Sequence, residues 1–323
     1  MHSHAVERGN EGYIHPMTQV NLPIDRCRFF ADPALFLVIA APCAYLVFCA
    51  FAGAMLAYPL HFLFAESLDF QALVYKSAEL LMALSLIPIG RRIGMGRWDI
   101  ALVGPWRQLL RQIVRGFGWG ALMMGLHVLV LVLLDVRVLN PEKLQLARII
   151  SLSCKGVLIG IAIASLEEPV FRGFLFGLLL RKTSRAHAVL VASFYFAALH
   201  FLSTDMRPEF AEVRWNTGFI IVLDAFANLL RIHIDSFLAL FAAGAFLSCV
   251  RLCFPNSGLS YCIGIHAGWV FIIKATNPLT IRSIVSPLQN MVSGFDGNIG
   301  YLSACWTSVL IILLLIKMNR TGI

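Results

Sequence analysis

Long apolar runs constrain this chain more than any other feature. They occupy residues at about 34 to 65, 70 to 89, 116 to 134, 149 to 180, 187 to 203, 236 to 254, 257 to 276 and 300 to 316. About 20 apolar residues in a helix cross the hydrocarbon core of a bilayer. In that solvent every backbone polar group must be satisfied internally, which leaves helices or closed barrels. The runs are continuous rather than alternating, so the expected fold is all-α: a polytopic integral membrane bundle of about eight transmembrane helices. A further apolar piece, 217 to 230, is interrupted by Asp224 and Arg231 and is expected to lie in the interface or against the bundle. Only 14% of the residues are charged, against about 25% in a soluble domain.

The net charge of +8 would suit a nucleic-acid partner in a soluble protein, but here its placement follows membrane topology. Cations gather between Arg91 and Arg115, at Arg181, Lys182 and Arg185, and near both ends of the chain. With eight spans these segments all fall on one side, and the positive-inside rule places both termini in the cytoplasm, with a bacterial inner membrane as the expected location. No nucleic-acid partner is expected. Residues 1 to 33 read as a polar cytoplasmic tail, with His2, His4 and His15 solvated and no secretory signal. The domain reading continues with N-terminal helices and a basic loop over 34 to 147, a catalytic helical core over 148 to 277, and a last loop and helix over 278 to 323. The eight cysteines include no Cys-x-x-Cys pair, and those inside spans behave as small apolar side chains.

Against this background, the run Ser165-Leu166-Glu167-Glu168-Pro169-Val170-Phe171-Arg172-Gly173 stands out. Ionisable groups at membrane depth are expensive unless paired or facing water, and they mark functional sites. On a helix, Glu168 and Arg172 are four residues apart and meet on one face. Glu167 is turned by about 100° from Glu168 and points elsewhere. Pro169 removes a backbone donor and is expected to bend the helix at the first glutamate, and Gly173 to admit a close neighbour. One such pair alone is often a structural clamp, but the second carboxylate leaves a group available to bind or deprotonate something.

Two histidines follow inside spans, His200 after Phe196-Ala197-Ala198-Leu199 and His266 between Gly264 and Gly268. His127, in an otherwise apolar run, is read as a packing residue. At about 1.5 Å per residue, Glu167 and His200 both lie roughly 21 Å from the basic boundary at Arg181 to Arg185, and His266 about 15 Å from the start of its own span. The glutamates and both histidines can therefore converge on one intramembrane site.

Together these residues resemble the CPBP family of CAAX proteases and bacteriocin-processing enzymes, also called Abi proteins, which are glutamate-dependent intramembrane proteases. The family pattern is EExxxR, then FxxxH, then HxxxN or HxxxD. Glu167, Glu168 and Arg172 match the first motif, Phe196 and His200 the second, and His266 opens the third, where Val270 stands in place of Asn or Asp. The resemblance covers about residues 150 to 275. It implies an endopeptidase in which Glu167, assisted by His200, activates water, Glu168 and Arg172 hold the site in shape, and His266 donates to the oxyanion. Phe196 and Trp269, beside the histidines, are the expected substrate contacts. Either Trp269 through its indole N–H, a backbone N–H or a water takes the place of the missing Asn, or the chain is slow or inactive. The resemblance implies no cofactor and no metal. The expected partners are membrane lipids and a membrane-associated or lipidated protein or peptide substrate.

Other readings stay open. Glu167, His200 and His266 offer two nitrogens and a carboxylate to zinc, although there is no HExxH. Val270 suits a non-catalytic scaffold or immunity protein that keeps the fold. A proton-coupled transporter would repeat interrupted helices in two halves, and no such symmetry is visible.

Overall fold

The structure, a computed structural model, describes residues 33–64, 69–293 and 297–321. The expected N-terminal tail lies outside them up to residue 32. Each apolar run becomes a helix: α1 (Pro33–Phe64), α2 (Phe70–Arg92), α3 (Trp106–Leu133), α4 (Leu146–Glu168) continuing through a π-helical segment (Pro169–Leu175) into α5 (Phe176–Lys182), α6 (Arg185–Leu199), α8 (Ile234–Cys253), α9 (Gly258–Thr276) and α10 (Tyr301–Thr321). Seven spans are long and apolar enough to cross a membrane, with α4 to α5 counted as one, while α6 is a shorter apolar helix. The apolar piece near 217 is helix α7 (Thr217–Asn228), tucked against the bundle. A Cβ on its Gly218 would meet the Ala54 carbonyl at 2.8 Å. The described sheet is one two-stranded antiparallel ribbon, β1 (Arg137–Leu139) with β2 (Thr280–Arg282), Val138 facing Ile281.

The packing centre is α9, held between α3 and α4. Glycines four apart on all three helices permit this. A Cβ on Gly120 would lie 2.2 Å from the Ile265 carbonyl oxygen, one on Gly264 2.2 Å from that of Ile113, and one on Gly160 2.4 Å from that of Ala267. Without a hydrophobic drive between helices in lipid, small residues of this kind allow the backbones to approach and make dispersion contacts. On the other side of the bundle α1 pairs with α2, clamped by the Tyr45 hydroxyl donating to the Met82 carbonyl at 2.9 Å.

Three local expectations change, and that at Pro169 gains detail. The third helix begins at Trp106, well before its apolar run, because Gln112 and Gly116 turn inward and bring Arg107, Arg111 and Arg115 onto its exposed side. The fifth apolar run stops being helix at Leu199 rather than continuing to 203. The polar sequence Ser203-Thr204-Asp205 and Pro208 follow, and neighbouring helices capture Thr204: Gln71 Nε2 donates to its carbonyl at 2.5 Å and its hydroxyl donates to Asp224. Irregular backbone at this depth is tolerated where it is enclosed by protein. At Pro169, where a bend is expected, the turn takes a particular form. The chain stays helical by widening into the π segment, which absorbs a residue without an N–H and ends with the Phe176 N–H shared between the Gly173 and Phe171 carbonyls. Gly173 makes no unusual approach, since an added Cβ would sit 3.5 Å from Leu259, in ordinary contact.

Candidate active site

The widened turn brings Glu168 and Arg172 inward, 0% and 1% exposed. Arg172 donates from one terminal nitrogen to Glu168 Oε1 at 3.1 Å and from the other to the Gly244 carbonyl of α8 at 3.4 Å. The same Glu168 oxygen lies 2.8 Å from Nδ1 of His266 on α9. The carboxylate and the guanidinium together thus tie α4 and its π continuation to α8 and α9. Removing a single partner from such a buried pair leaves an uncompensated charge, at about 3–5 kcal/mol.

Phe196 is the hub of this cluster. The Arg172 guanidinium lies over its ring at 4.1 Å from the centroid, and the rings of Phe171, His200 and His266 stand against it with centroids 5.3, 4.6 and 6.0 Å away. Phe196 is 3% exposed and is absent from the wall of the neighbouring cavity. Its place is under the site, where it spaces the two histidines. Trp269 packs against Phe246 at 5.6 Å in a cluster with Leu247 and Ile265, and it too is absent from the cavity wall.

Glu167 and His200 occupy a different environment from Glu168. Both line a cavity of about 370 Å³ formed by α1, α2, α4, the π segment, the end of α6 and α7. Glu167 Oε2 has no hydrogen-bond partner among the described residues. His200 caps the C-terminus of α6, with Nδ1 2.7 Å from the Phe196 carbonyl. A carbonyl only accepts, so Nδ1 carries the hydrogen and the neutral ring presents Nε2 as an acceptor. Charge interactions run between His200 and Glu168 and between Glu167 and His266, so the two environments adjoin.

Every motif residue is therefore placed around one centre, Glu168, Arg172 and His266 by direct bonds and Glu167 and His200 at the cavity beside them. Val270, one turn after His266, is half-buried and absent from the cavity wall. The zinc ligand set is not assembled. Among the described residues no three His, Cys, Asp or Glu side chains gather as a metal site.

Sequence reasoning missed two contributors. The glycine pairs 116/120, 156/160 and 264/268 set the spacing of α3, α4 and α9, and their four-residue repeat was the available signal. Gly264 and Gly268 face α3 rather than making room for His266. The second contributor is the α2 wall of the cavity, where the ion pair Lys76–Glu79, at 2.7 Å, interrupts an apolar run.

At the basic end of the bundle a latch ties the chain after α2 to the end of α5. Arg181 grips Asp99 with two bonds, at 2.7 and 2.6 Å, and donates to the Ile93 and Gly94 carbonyls. Partial burial pushes the Asp99 carboxyl up, but the Arg181 guanidinium and the Gly96 N–H outweigh it and hold the group below the usual carboxylate range.

The helices define a multi-pass integral membrane protein whose bundle encloses a polar centre. Residues 149–272 match the family described as type II CAAX prenyl endopeptidase Rce1-like, and that stretch holds every motif residue from Glu167 to His266. The match suggests an intramembrane endopeptidase. No curated protein and no solved structure matches the chain.

Proposed function

We propose that the protein is a glutamate-dependent intramembrane endopeptidase. One observation carries the reading: the two adjacent glutamates sit in two different environments. Glu168 is bonded by Arg172 and His266, whereas Glu167 presents an unpartnered oxygen beside a cavity shared with His200. Such a division separates a structural carboxylate from a reactive one.

In the mechanism, a water held between the Glu167 carboxylate and His200 Nε2 gives its proton to Glu167 as its oxygen bonds to the substrate carbonyl carbon. The carbonyl oxygen gains the charge. His266, oriented through Nδ1 by Glu168, donates from protonated Nε2 to that oxyanion. Glu167 then passes its proton to the leaving nitrogen as the C–N bond breaks, leaving a carboxylic acid and an amine. Substrates reach a buried site of this kind from the bilayer or its surface, so membrane-associated or lipidated peptides are the favoured class. Residues 148–277 act as the catalytic core, 34–147 as its companion wall, and both termini face the cytoplasm of a bacterial inner membrane. The gathering of Arg91, Arg92, Arg107, Arg111, Lys182 and Arg185 at one end supports that orientation.

Val270 favours a second reading, a scaffold that binds without cleaving, because one oxyanion donor of the family pattern is absent. The test is proteolysis of membrane-anchored and prenylated peptides by detergent-solubilised protein with chelator present throughout. Chelator-resistant cleavage by wild type that disappears in Glu167→Ala supports the protease reading. Cleavage by Val270→Asn alone, from a silent wild type, supports the scaffold. Since loss of one oxyanion donor typically lowers the rate about 100- to 1000-fold, Val270→Asn should raise kcat within that range.

A further inference from the structure

Hydrolysis consumes one water for each peptide bond, and a site enclosed among membrane helices needs a path for it. The cavity beside Glu167 has two ends. Toward the arginine-rich end the bundle is closed. A Cβ on Gly177 would lie 2.5 Å from the Asp99 carbonyl oxygen, one on Gly173 3.6 Å from the Ile100 Cβ, and one on Gly90 3.4 Å from the Phe174 ring. Arg251, 4% exposed, donates to the same Asp99 carbonyl at 2.8 Å, and the Val103 N–H donates to the Asn256 carbonyl at 2.7 Å. The chain between α2 and α3 is thereby stitched across the bundle beneath the site.

The opposite end is polar and near. Along α2, Tyr75 stands about 9 Å from Asp69 and about 25 Å from Arg92, and the Asp69 carboxylate meets Arg207 in an exposed pair at 3.2 Å. Because α6 stops at Leu199, non-helical chain crosses here. Gln71 holds the Thr204 carbonyl, the Thr204 hydroxyl donates to Asp224, and the Met206 N–H donates to that hydroxyl at 3.1 Å. Asp224 sits on α7 between Val222 and Ala225, both of which line the cavity. A half-buried carboxylate on an apolar helix, bonded by one hydroxyl, is costly unless it also meets water.

Tyr75 joins the two regions. It lines the cavity with Glu167 and His200, and its hydroxyl stands beside Gln71 and the Thr204 backbone, within electrostatic reach of Asp224. That hydroxyl makes no hydrogen bond of proper geometry among the described residues, and neither does Glu167 Oε2. Two such atoms on one cavity call for water. A volume of about 370 Å³ has room for several molecules at roughly 30 Å³ each.

We propose that Tyr75, Thr204 and Asp224 form a water-binding inlet that supplies the cavity from the end of the bundle opposite the arginine-rich loop. Tyr75 is its positioning residue. The hydroxyl takes water drawn in by Asp224 and Thr204 and passes it toward Glu167 and His200. Tyr75 lies outside the stretch that matches the protease family, and Thr204 and Asp224 lie outside its motifs. The catalytic consequence rests on the protease reading, whereas the inlet itself does not.

The test is radiolytic hydroxyl-radical footprinting of the full-length detergent-solubilised protein, in which radicals formed from a bound water oxidise the side chain it touches. Peptide mass spectrometry reads the sites. Tyr75 should be oxidised although its hydroxyl is closed to bulk solvent, and Tyr45, bonded to Met82 and Ser85, should not. Asp224→Leu should lower the Tyr75 rate about 10-fold, the effect of losing a hydrogen bond to a charged group, and Asp224→Glu should keep the wild-type rate. Asp99→Asn, which loosens the closed end, should leave the rate unchanged. With membrane-anchored and prenylated peptides, Tyr75→Phe and Asp224→Leu should lower kcat at constant KM. A thermal scan shows whether each variant is folded, and Thr204→Val takes the place of Asp224→Leu if that variant is not. An unmodified Tyr75 in wild type, a rate that survives in the folded inlet variant, a rate raised by Asp99→Asn, or an unchanged kcat in Tyr75→Phe overturns the inlet. If the footprints behave as expected while wild type cleaves no peptide, the inlet stands and the protease reading falls.

Discussion

The two sides of the bundle are built to different standards. In α8 and α9, 56% and 61% of the most apolar window is buried, against 17% in each of α1 and α2. On the tight side, backbone-to-backbone contacts at Gly120, Gly160 and Gly264 leave no freedom to slide, and the bonded trio Glu168, Arg172 and His266 sits there. On the open side α1 and α2 also approach closely, a Cβ on Gly53 lying 2.5 Å from the Ala78 nitrogen, but the truncated α6 leaves the cavity faced by Glu167 and His200. A close-packed wall holds charged groups at fixed positions, while an open one gives a ligand room to enter. The difference separates groups that hold the site from groups that meet substrate.

Substitutions break this comparison in different ways. Glu167→Ala, on the open wall, should lower cleavage by about 100- to 10,000-fold, the usual contribution of a general base, with an unchanged thermal unfolding midpoint. Glu168→Ala or Arg172→Ala, on the sealed wall, should reduce stability by about 3–5 kcal/mol, seen as poor yield and a lower Tm. Gly120→Leu should destabilise by about 1–3 kcal/mol through overpacking against Ile265, with cleavage falling as α9 and His266 shift; wild-type stability there would mean the tight side is not tight.

The smallest effect is expected at the latch, remote from both walls. Asp99→Asn should lose about 1 kcal/mol or less, since the Arg181 pair is partly solvated. The folded pKa of Asp99 is depressed, so its contribution is present above the unfolded value of about 4 and disappears as pH falls through the lower folded value. Wild type and Asp99→Asn should therefore differ in Tm at pH 7 and converge as pH falls through the depressed folded value, and a gap persisting in strong acid would contradict the assignment.

Much of the site was readable before any coordinates, because its signals are local. The spacing of Glu168 and Arg172 predicts their meeting, and counting rises along two helices predicts that Glu167 and His200 are level. His127 reads as a packing residue, and it is buried with Nε2 3.2 Å from the Asn298 carbonyl. The misreadings came from treating a local rule as final. Pro169 signals a bend but not the π turn that forms there, and the run 187–203 reads as a full span until Gln71 and Asp224, on other helices, capture Thr204. Phe196 and Trp269 look like substrate contacts by proximity to histidines, yet both turn into the packing instead.

The sequence by itself determined that the chain is a helical membrane protein, which stretches become helices, and which acids, bases and histidines share a depth, because run length, composition and helical rise are properties of neighbouring residues. Tertiary structure decided which glutamate His266 engages, across 98 residues of chain, where α6 ends, and that Lys76 faces the same cavity as Glu167. Those outcomes depend on the rotation and separation of helices about their axes. Contacts between glycines and carbonyls distant in the chain set them.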